Sequence, residues 1–287
     1  MALDPWKLRW RRRLRPLSTG ARTTVVTAAV AIGVRQIGIM GSTAATLPRQ
    51  VSCIGDSHTR GVCGAPWVPA LETRLGCPCV NHGADGETAA AITRRAAKLD
   101  FAERAVVLAG TNDALLELAA RAGNSAMAGL YRRQSRLPED YEPSAGTFGA
   151  AFRRLLRAVP AGRVVAVSLP PLGEAAAGAA AEVVGAYNAE IRAAVAESPN
   201  ATYAAFGEAL RPRLPPGGAP FDASSDGFGR AVRDLFLHRA LRAVPLGPSF
   251  GALARLRGRR VLHDQIHLTE ASAATLVEVV AEALEER

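Results

Sequence analysis

Residues 50–59, QVSCIGDSHT, join an apolar segment to a cluster of small and polar residues. Gln50–Ile54 has the length and apolar content of a buried strand, so we predict a strand there. Gly55, Asp56 and Ser57 follow it directly. In an open α/β sheet, ligands bind beyond the carboxyl ends of the strands, and side chains at such an end are the first candidates for a site.

The same order of strand and helix repeats along the rest of the chain. Short apolar runs predict further strands at Cys79–Asn81, Ala105–Ala109, Arg163–Leu169 and Thr202–Phe206. Helical periodicity predicts helices at Trp67–Leu75, Glu87–Lys98, Thr147–Val159, Ala179–Glu197 and Leu268–Glu286. Alternating strands and helices imply parallel strands joined by right-handed crossovers, with helices on both faces. We therefore predict an α/β fold, a three-layer α/β/α sandwich with a flavodoxin-like parallel sheet.

Two arginine-rich stretches carry no clear pattern. Residues 121–145 and 211–260 read as loops, and we interpret them as insertions over a site, where substrate specificity would be set.

Composition excludes several classes of protein. With 48% hydrophobic and 21% charged residues in 287, the chain is an ordinary globular protein rather than a disordered or fibrous one. The net charge of +9 suggests nucleic acid, but residues 1–22 alone carry seven basic residues against one aspartate. That leaves only +3 for the rest, so we predict no nucleic-acid partner. The only lysines, Lys7 and Lys98, lie outside any phosphate-loop spacing.

The first 48 residues look like a targeting segment. An arginine-rich stretch precedes the apolar run Val25–Val34, and small residues follow at 42–45. That order is typical of a secretory signal or an uncleaved anchor, with an organellar transit peptide or a plain tail as alternatives. Arg35 argues against a full membrane span. We predict secretion or membrane anchoring, with possible membrane association through this segment, and a folded domain over residues 49–287.

Polar blocks follow three of the predicted strands and precede the last helix. They are Gly55-Asp56-Ser57, the run from Asn81 to Thr88 with Gly83 and Gly86, Gly110-Thr111-Asn112-Asp113, and His263-Asp264-Gln265-Ile266-His267. Together and in this order they resemble the SGNH hydrolases, the GDSL esterase/lipase family. The resemblance spans Gly55 to His267, nearly the whole predicted domain. It implies the flavodoxin-like fold and a serine esterase acting on a small-molecule, lipid or carbohydrate ester. It also implies an oxyanion hole made by the backbone N–H groups of Ser57 and Gly86 and the side-chain amide of Asn112.

The chemistry agrees with that resemblance. A serine hydroxyl is a poor nucleophile and needs an adjacent base, for which His267 is the candidate. Asp264 precedes it by three residues, so one tight turn can aim both side chains at Ser57. The carboxylate would fix the imidazole tautomer and stabilise the imidazolium. Such a site requires no metal and no organic cofactor.

Other functions stay open on the sequence. The same site could pass the acyl group to an alcohol, which would make an O-acyltransferase, or the fold could serve as a non-catalytic binding module. A zinc site is a weak alternative, because His263-Asp264-Gln265-Ile266-His267 superficially matches H-E-x-x-H, a motif that needs both histidines on one helical face. The G-x-S-x-G motif of α/β-hydrolases does not surround Ser57.

Several residues have an ordinary structural interpretation. Ser57 could cap a helix, and Asn112-Asp113 could form a plain turn. We assign Asp56 to bracing its loop. His58 and His82 are interpreted as lining a pocket or lying exposed, and His238 as structural.

Four cysteines lie in one early stretch. Cys53, Cys63, Cys77 and Cys79 would permit two disulfides in an exported chain. The simpler interpretation is a buried strand residue at Cys53 and mostly free thiols elsewhere.

Overall fold

The computed structural model describes residues 50–138 and 140–285. The predicted targeting segment, residues 1–48, lies outside them, so that assignment stays a prediction. In the described part of the chain, no helix is both long enough and apolar enough to cross a membrane.

A five-stranded parallel sheet forms the centre of the domain. Its strands are β1 (Val51–Gly55), β2 (Cys79–Gly83), β3 (Arg104–Leu108), β4 (Arg163–Val167) and β5 (Ala201–Ala204). Their order across the sheet is β2-β1-β3-β4-β5, with β1 pairing with both β2 and β3. This is the flavodoxin order, in which the sheet changes direction at β1. The predicted fold class is confirmed.

Helices cover both faces of the sheet. They are α1 (Ser57–Arg60), α2 (Val68–Leu75), α3 (Ala89–Ala96), α4 (Thr111–Arg121), α5 (Ser125–Gln134), α6 (Ala145–Ala158), α7 (Ala179–Ala196), α8 (Phe206–Leu210), α9 (Ser225–Arg242), α10 (Phe250–Leu256) and α11 (Glu270–Glu285). On one face α6 packs between α3 and α7, and on the other α2 packs against α11. Right-handed crossovers require this division, because β1 leads outward to β2 while the later crossovers run the opposite way.

Burial on both sides explains the apolar strands. Every residue of β1 is buried, as are the last four residues of β3 and of β4. Beneath them Phe148 of α6 stacks on Tyr187 of α7 with ring centres 4.6 Å apart. A sheet covered on both faces needs continuous apolar runs rather than alternation, and these runs made the strands predictable.

Both stretches predicted to be loops contain helices, so that prediction is wrong in its secondary structure. Residues 121–145 contain α5, and residues 211–260 contain α9 and α10. Each helix begins at a capping side chain: Asn124 accepts from the Met127 N–H, Ser224 from Gly227 and Ser249 from Ala252. These caps satisfy N–H groups that the first turn of a helix leaves free. Sequence periodicity did not predict these helices, because arginines are frequent in them and their apolar residues do not form one continuous stripe.

Candidate active site

The structure brings Ser57, His267 and Asp264 into one hydrogen-bonded chain. Ser57 Oγ lies 3.0 Å from His267 Nε2, across 210 residues of sequence. His267 Nδ1 lies 2.6 Å from Asp264 Oδ2. With Nδ1–H donated to the carboxylate, Nε2 is left as the acceptor for the serine hydroxyl. This is the geometry that activates a serine as a nucleophile.

A tight loop holds the acid and the base. Leu262 and Leu268 form a bridge that closes residues 263–267, and Gln265 has a positive φ of 78°. Asp264 Oδ1 accepts the backbone N–H groups of Ile266, at 2.9 Å, and His267, at 2.6 Å. The other oxygen, Oδ2, is therefore free to meet the imidazole. The spacing of three residues works because one carboxylate binds both the turn and the ring.

Charge pairing sets the ionisation of this loop. Burial alone would raise the pKa of Asp264, but the charge of His267 and hydrogen bonds from its ring and backbone lower it below the ordinary value. Burial alone would lower the pKa of His267, but Asp264 outweighs burial and raises it. The pair thus favours a carboxylate beside an imidazole that readily takes up a proton.

The strand-end turn of β1 presents Ser57 at the start of α1. Asp56, not Ser57, caps this helix, since its Oδ1 accepts the His58 N–H at 3.0 Å. Asn81 of β2 donates its amide to the Thr59 carbonyl at 2.7 Å, which ties α1 to the neighbouring strand. A Cβ at Gly83 would lie 2.1 Å from the Arg60 nitrogen, so only glycine allows this approach. The capping interpretation of Ser57 is wrong, and Asp56 braces the loop as predicted.

The three predicted oxyanion donors lie around one cavity. Ser57, Gly86 and Asn112 all line a space of about 300 Å³ that also reaches His267. Asn112 donates one amide hydrogen to the Glu87 carbonyl at 2.8 Å, which orients the amide and leaves its second hydrogen available. Gly86 has φ +72°, a conformation that other residues rarely adopt. Asn112 belongs to the first turn of α4, so the plain-turn interpretation is wrong.

The sequence did not identify the rest of the cavity wall. Tyr131 and Gln134 of α5 and Phe228, Leu235 and Phe236 of α9 line it. Gln134 also donates to the Asp85 carbonyl at 2.8 Å and packs over Gly86. Both unassigned stretches therefore supply wall residues, as their interpretation as insertions over a site predicted. Capping residues at the starts of α5 and α9 were the signal that could have placed them.

The remaining histidines do not join the hydrogen-bonded chain of Ser57, His267 and Asp264. The ring of His58 is buried 5.4 Å from that of His267, and burial lowers the pKa of His58 to about 3. His82, on the edge strand β2, is half-buried and packs against Phe101. Neither His58 nor His82 lines the cavity or lies exposed, so that interpretation is wrong. His263 Nε2 lies 2.8 Å from the Cys63 carbonyl, so this nitrogen carries the hydrogen. His263 Nδ1 then accepts from His238 Nδ1, at 3.0 Å, and His238 is structural.

The zinc alternative fails on local geometry. Residues 263–267 form a turn ahead of α11, whereas the motif requires a helix. Donor atoms of His263, Asp264 and His267 do lie within 4.8 Å of one another. Hydrogen bonds between Asp264 and His267, from His238 to His263, and from His263 to the Cys63 carbonyl account for that grouping.

The four cysteines are free thiols. Cys53 is buried in β1, as the simpler interpretation predicted.

Comparisons with known proteins agree with this architecture. The GDSL-like Lipase/Acylhydrolase family model matches residues 53–274. No curated protein sequence matches the chain. Among solved structures, LAE5, an alpha/beta hydrolase enzyme from the metagenome of Lake Arreo, Spain, superposes with a TM-score of 0.51 at 15% identity, covering 82% of this chain and 94% of that one. A catalytic mutant of Axe2, an acetylxylan esterase from Geobacillus stearothermophilus, gives 0.51 at 14% identity, covering 86% and 97%.

These two structural likenesses, at such low identity, establish the fold alone. The family match covers most of the chain, from within β1 into α11, and so includes all four polar blocks. The chain belongs to the GDSL-like lipase/acylhydrolase family and is a hydrolase of ester bonds.

Proposed function

We propose that this protein hydrolyses a carboxylic ester through an acyl-serine intermediate on Ser57. The observation that carries the proposal is the 3.0 Å contact between Ser57 Oγ and His267 Nε2, continued to Asp264 at 2.6 Å. Ser57 Oγ attacks the acyl carbonyl, and its proton passes to His267 Nε2. The imidazolium then protonates the leaving alcohol. Water attacks the acyl-serine, gives its proton to His267, and the carboxylic acid leaves as Ser57 regains its hydrogen.

The developing oxyanion needs donors that are already in position. In this proposal they are the N–H groups of Ser57 and Gly86 and the free amide hydrogen of Asn112. Neither backbone N–H has a hydrogen-bond partner in the described part of the chain, which supports this role. Preorganised donors stabilise charge that appears only in the transition state, so they increase the rate rather than simple binding.

The cavity wall favours an acyl group without charge. Apolar side chains dominate it, including Leu115, Leu130, Leu235, Phe236 and Ile266. A space of about 300 Å³ lies at the small end of ligand pockets, so we expect an acyl group of modest size with the alcohol part outside. Lipid, carbohydrate and other small esters all satisfy that description.

The test is a series of aryl esters of graded acyl length, run with wild type and Ser57→Ala. We expect Ser57→Ala to lose about 10⁵-fold or more in kcat, because the nucleophile is removed. Ser125→Ala, an exposed serine on α5, is the matched control and should retain full activity. A serine-directed phosphonate should label wild type and Ser125→Ala but not Ser57→Ala. Full activity in Ser57→Ala would end the proposal.

Export or membrane anchoring through residues 1–48 also stays a proposal. Fractionation of the native host tests it: recovery of the protein in the secreted or membrane fraction supports the proposal, and recovery only inside the cell or an organelle refutes it.

A further inference from the structure

Positive charge within the folded domain is concentrated in one segment. Residues 227–260 contain eight arginines, no lysine and a single acidic residue, Asp234. Asp234 is buried and pairs with Arg257, at 3.2 Å, and Arg259, at 3.0 Å. No acidic side chain of this segment therefore reaches solvent, although Asp222 and Glu270 from outside it pair with Arg230 and Arg242. The modest net charge outside residues 1–22 conceals this cationic segment.

Large apolar side chains are exposed in the same segment. Five of them lie between residues 236 and 246, on the last turns of α9 and the turn after it: Phe236, Leu237, Leu241, Val244 and Leu246. Phe236 is 62% exposed and Leu246 is fully exposed. We call these five residues, together with Arg233 and Arg239, the α9 surface. Large exposed apolar patches often mark an interaction surface, and here five exposed apolar side chains fall within one short segment.

The two arginines of the α9 surface are available to a partner. Arg233 and Arg239 are exposed on α9, and neither forms an ion pair within residues 50–138 and 140–285. Arg242, in contrast, lies over the Phe250 ring and 3.6 Å from Glu270. Guanidinium groups among leucine and phenylalanine side chains match a surface that is anionic outside and hydrocarbon beneath.

The α9 surface is continuous with the cavity. Val232, Leu235 and Phe236 of α9 line the cavity, and Phe236 belongs to both. Across the opening, Leu130 of α5 also lines the cavity and is 43% exposed. Anything that covers the α9 surface therefore meets the entrance to the Ser57 site.

The buried residues of α9 bond to the loop that carries Asp264 and His267. His238 bonds to His263, and Asp234 pairs with Arg259, which donates to the His263 carbonyl at 2.7 Å. These buried polar contacts fix the orientation of the helix. Its exposed apolar residues are consequently held outward and cannot turn in to join the core without breaking those contacts.

We propose that the α9 surface docks on the surface of a lipid bilayer containing anionic lipids, and that the ester substrate enters the cavity from that surface. The second half rests on the proposed function, whereas docking itself does not. The contact lies in the plane of the headgroups and is distinct from a membrane span. Aliphatic exposure favours hydrocarbon over nucleic acid, whose bases stack on aromatic rings.

Docking is tested with the full chain on phosphatidylcholine vesicles, with and without phosphatidylglycerol. We expect co-sedimentation to require phosphatidylglycerol, and hydrogen exchange to slow in residues 236–246 when vesicles are added. Arg233→Gln/Arg239→Gln should weaken partitioning about thirty-fold, since each arginine near an anionic surface contributes about 1 kcal/mol. Arg154→Gln/Arg157→Gln, the same change at exposed positions of α6, should leave partitioning within about threefold of wild type.

Leu237→Gln/Leu241→Gln/Leu246→Gln separates docking from chemistry. It should lose vesicle binding but hydrolyse a soluble aryl ester as wild type does, because none of the three residues lines the cavity. Equal binding to uncharged vesicles would overturn the docking proposal, and so would unchanged partitioning of both the Arg233→Gln/Arg239→Gln variant and the triple leucine variant. Protection of residues 236–246 that depends on protein concentration without lipid would also overturn it, because it indicates contact with a second copy. Ser57→Ala should still dock. Vesicle binding by a wild-type protein that hydrolyses no ester would instead refute the proposed function.

Discussion

Two buried regions lie at the carboxyl ends of the strands, and the pKa values of their carboxyl groups shift in opposite directions. In the loop closed by Leu262 and Leu268, the pKa of Asp264 is lowered by the charge of His267, against the effect of burial. In the strand-end turns of β1 and β3, burial raises the pKa of Asp56 and of Asp113 to about 7 each. All three side chains are equally buried, so burial does not explain the difference.

The partners of each carboxylate explain it. Asp264 accepts two backbone N–H groups on one oxygen and the imidazole N–H on the other. Asp56 and Asp113 accept one backbone N–H each, from His58 and Ala89, and no basic side chain bonds to either. In the proposed mechanism the loop holds a charge for proton transfer, and the strand-end turns supply N–H donors to the substrate carbonyl.

The largest effect on activity is expected when the carboxylate that pairs with His267 is removed. Asp264→Asn should lower kcat about 10³- to 10⁴-fold, because the amide favours the wrong imidazole tautomer. The base works only when His267 is neutral, and in wild type its raised pKa places the acid limb of the rate profile above the ordinary histidine value. In Asp264→Asn that limb should move to lower pH. A pH profile of kcat/KM measures both effects, and activity within tenfold of wild type would contradict the assigned role.

A substitution in the strand-end turn after β3 should reduce kcat less than Asp264→Asn does. Asn112→Ala should reduce kcat about 10²- to 10³-fold with little change in KM, since one oxyanion donor is lost. Asn200→Ala is the matched control, because its amide also donates to a backbone carbonyl at 2.8 Å but lies beside the amino-terminal end of β5. Steady-state kinetics on one aryl ester compare the two. If Asn112→Ala changes KM alone, its amide binds substrate without stabilising the transition state.

Replacing a carboxyl group in the strand-end turns should change how the free energy of unfolding depends on pH. Because folding raises the pKa of Asp113, the folded chain binds the proton more tightly, and wild type loses stability as pH rises from about 4 to about 7. Asp113→Asn has no proton to lose there, so its stability should fall less between pH 4 and pH 8, by about 4 kcal/mol. Urea unfolding at both pH values measures this. Exposed Asp100→Asn should follow wild type, and parallel curves for all three would show that Asp113 stays charged.

The smallest expected effect is at the boundary between the two regions. Burial lowers the pKa of His58 to about 3, so its ring is neutral throughout the working range although it lies beside His267. His58→Leu should therefore leave the midpoint of the acid limb within about 0.3 pH units of wild type. His82→Leu, on the edge strand, controls for loss of an imidazole. A shift of about one unit in His58→Leu alone would mean that His58 carries charge next to the base.

Sequence patterns identified the strands, because both faces of the sheet are covered, and they identified the helices α2, α3, α6, α7 and α11. Continuous apolar runs as short as those of β3 and β4 are typical of strands buried on both faces. They missed α4 and α10, and they also missed α5 and α9, whose apolar residues are divided among the core, the cavity and solvent. A helix that serves three environments shows no single stripe, so only its cap marks it. Counting charge on the whole domain missed the cationic segment for a similar reason, since acidic residues elsewhere compensate it.

The order of residues by itself determined which groups could react: a serine after the first strand, an amide after the third, and an acid and a base three positions apart. Each follows from local chemistry, since strand ends and tight turns place side chains at one edge of a parallel sheet. Only the tertiary structure decided that Ser57 meets His267, that the pKa of Asp264 is lowered while those of Asp56 and Asp113 are raised, and that α9 turns leucines toward solvent. Those outcomes depend on which groups from distant segments become neighbours, and burial and pairing exist only once the chain has folded.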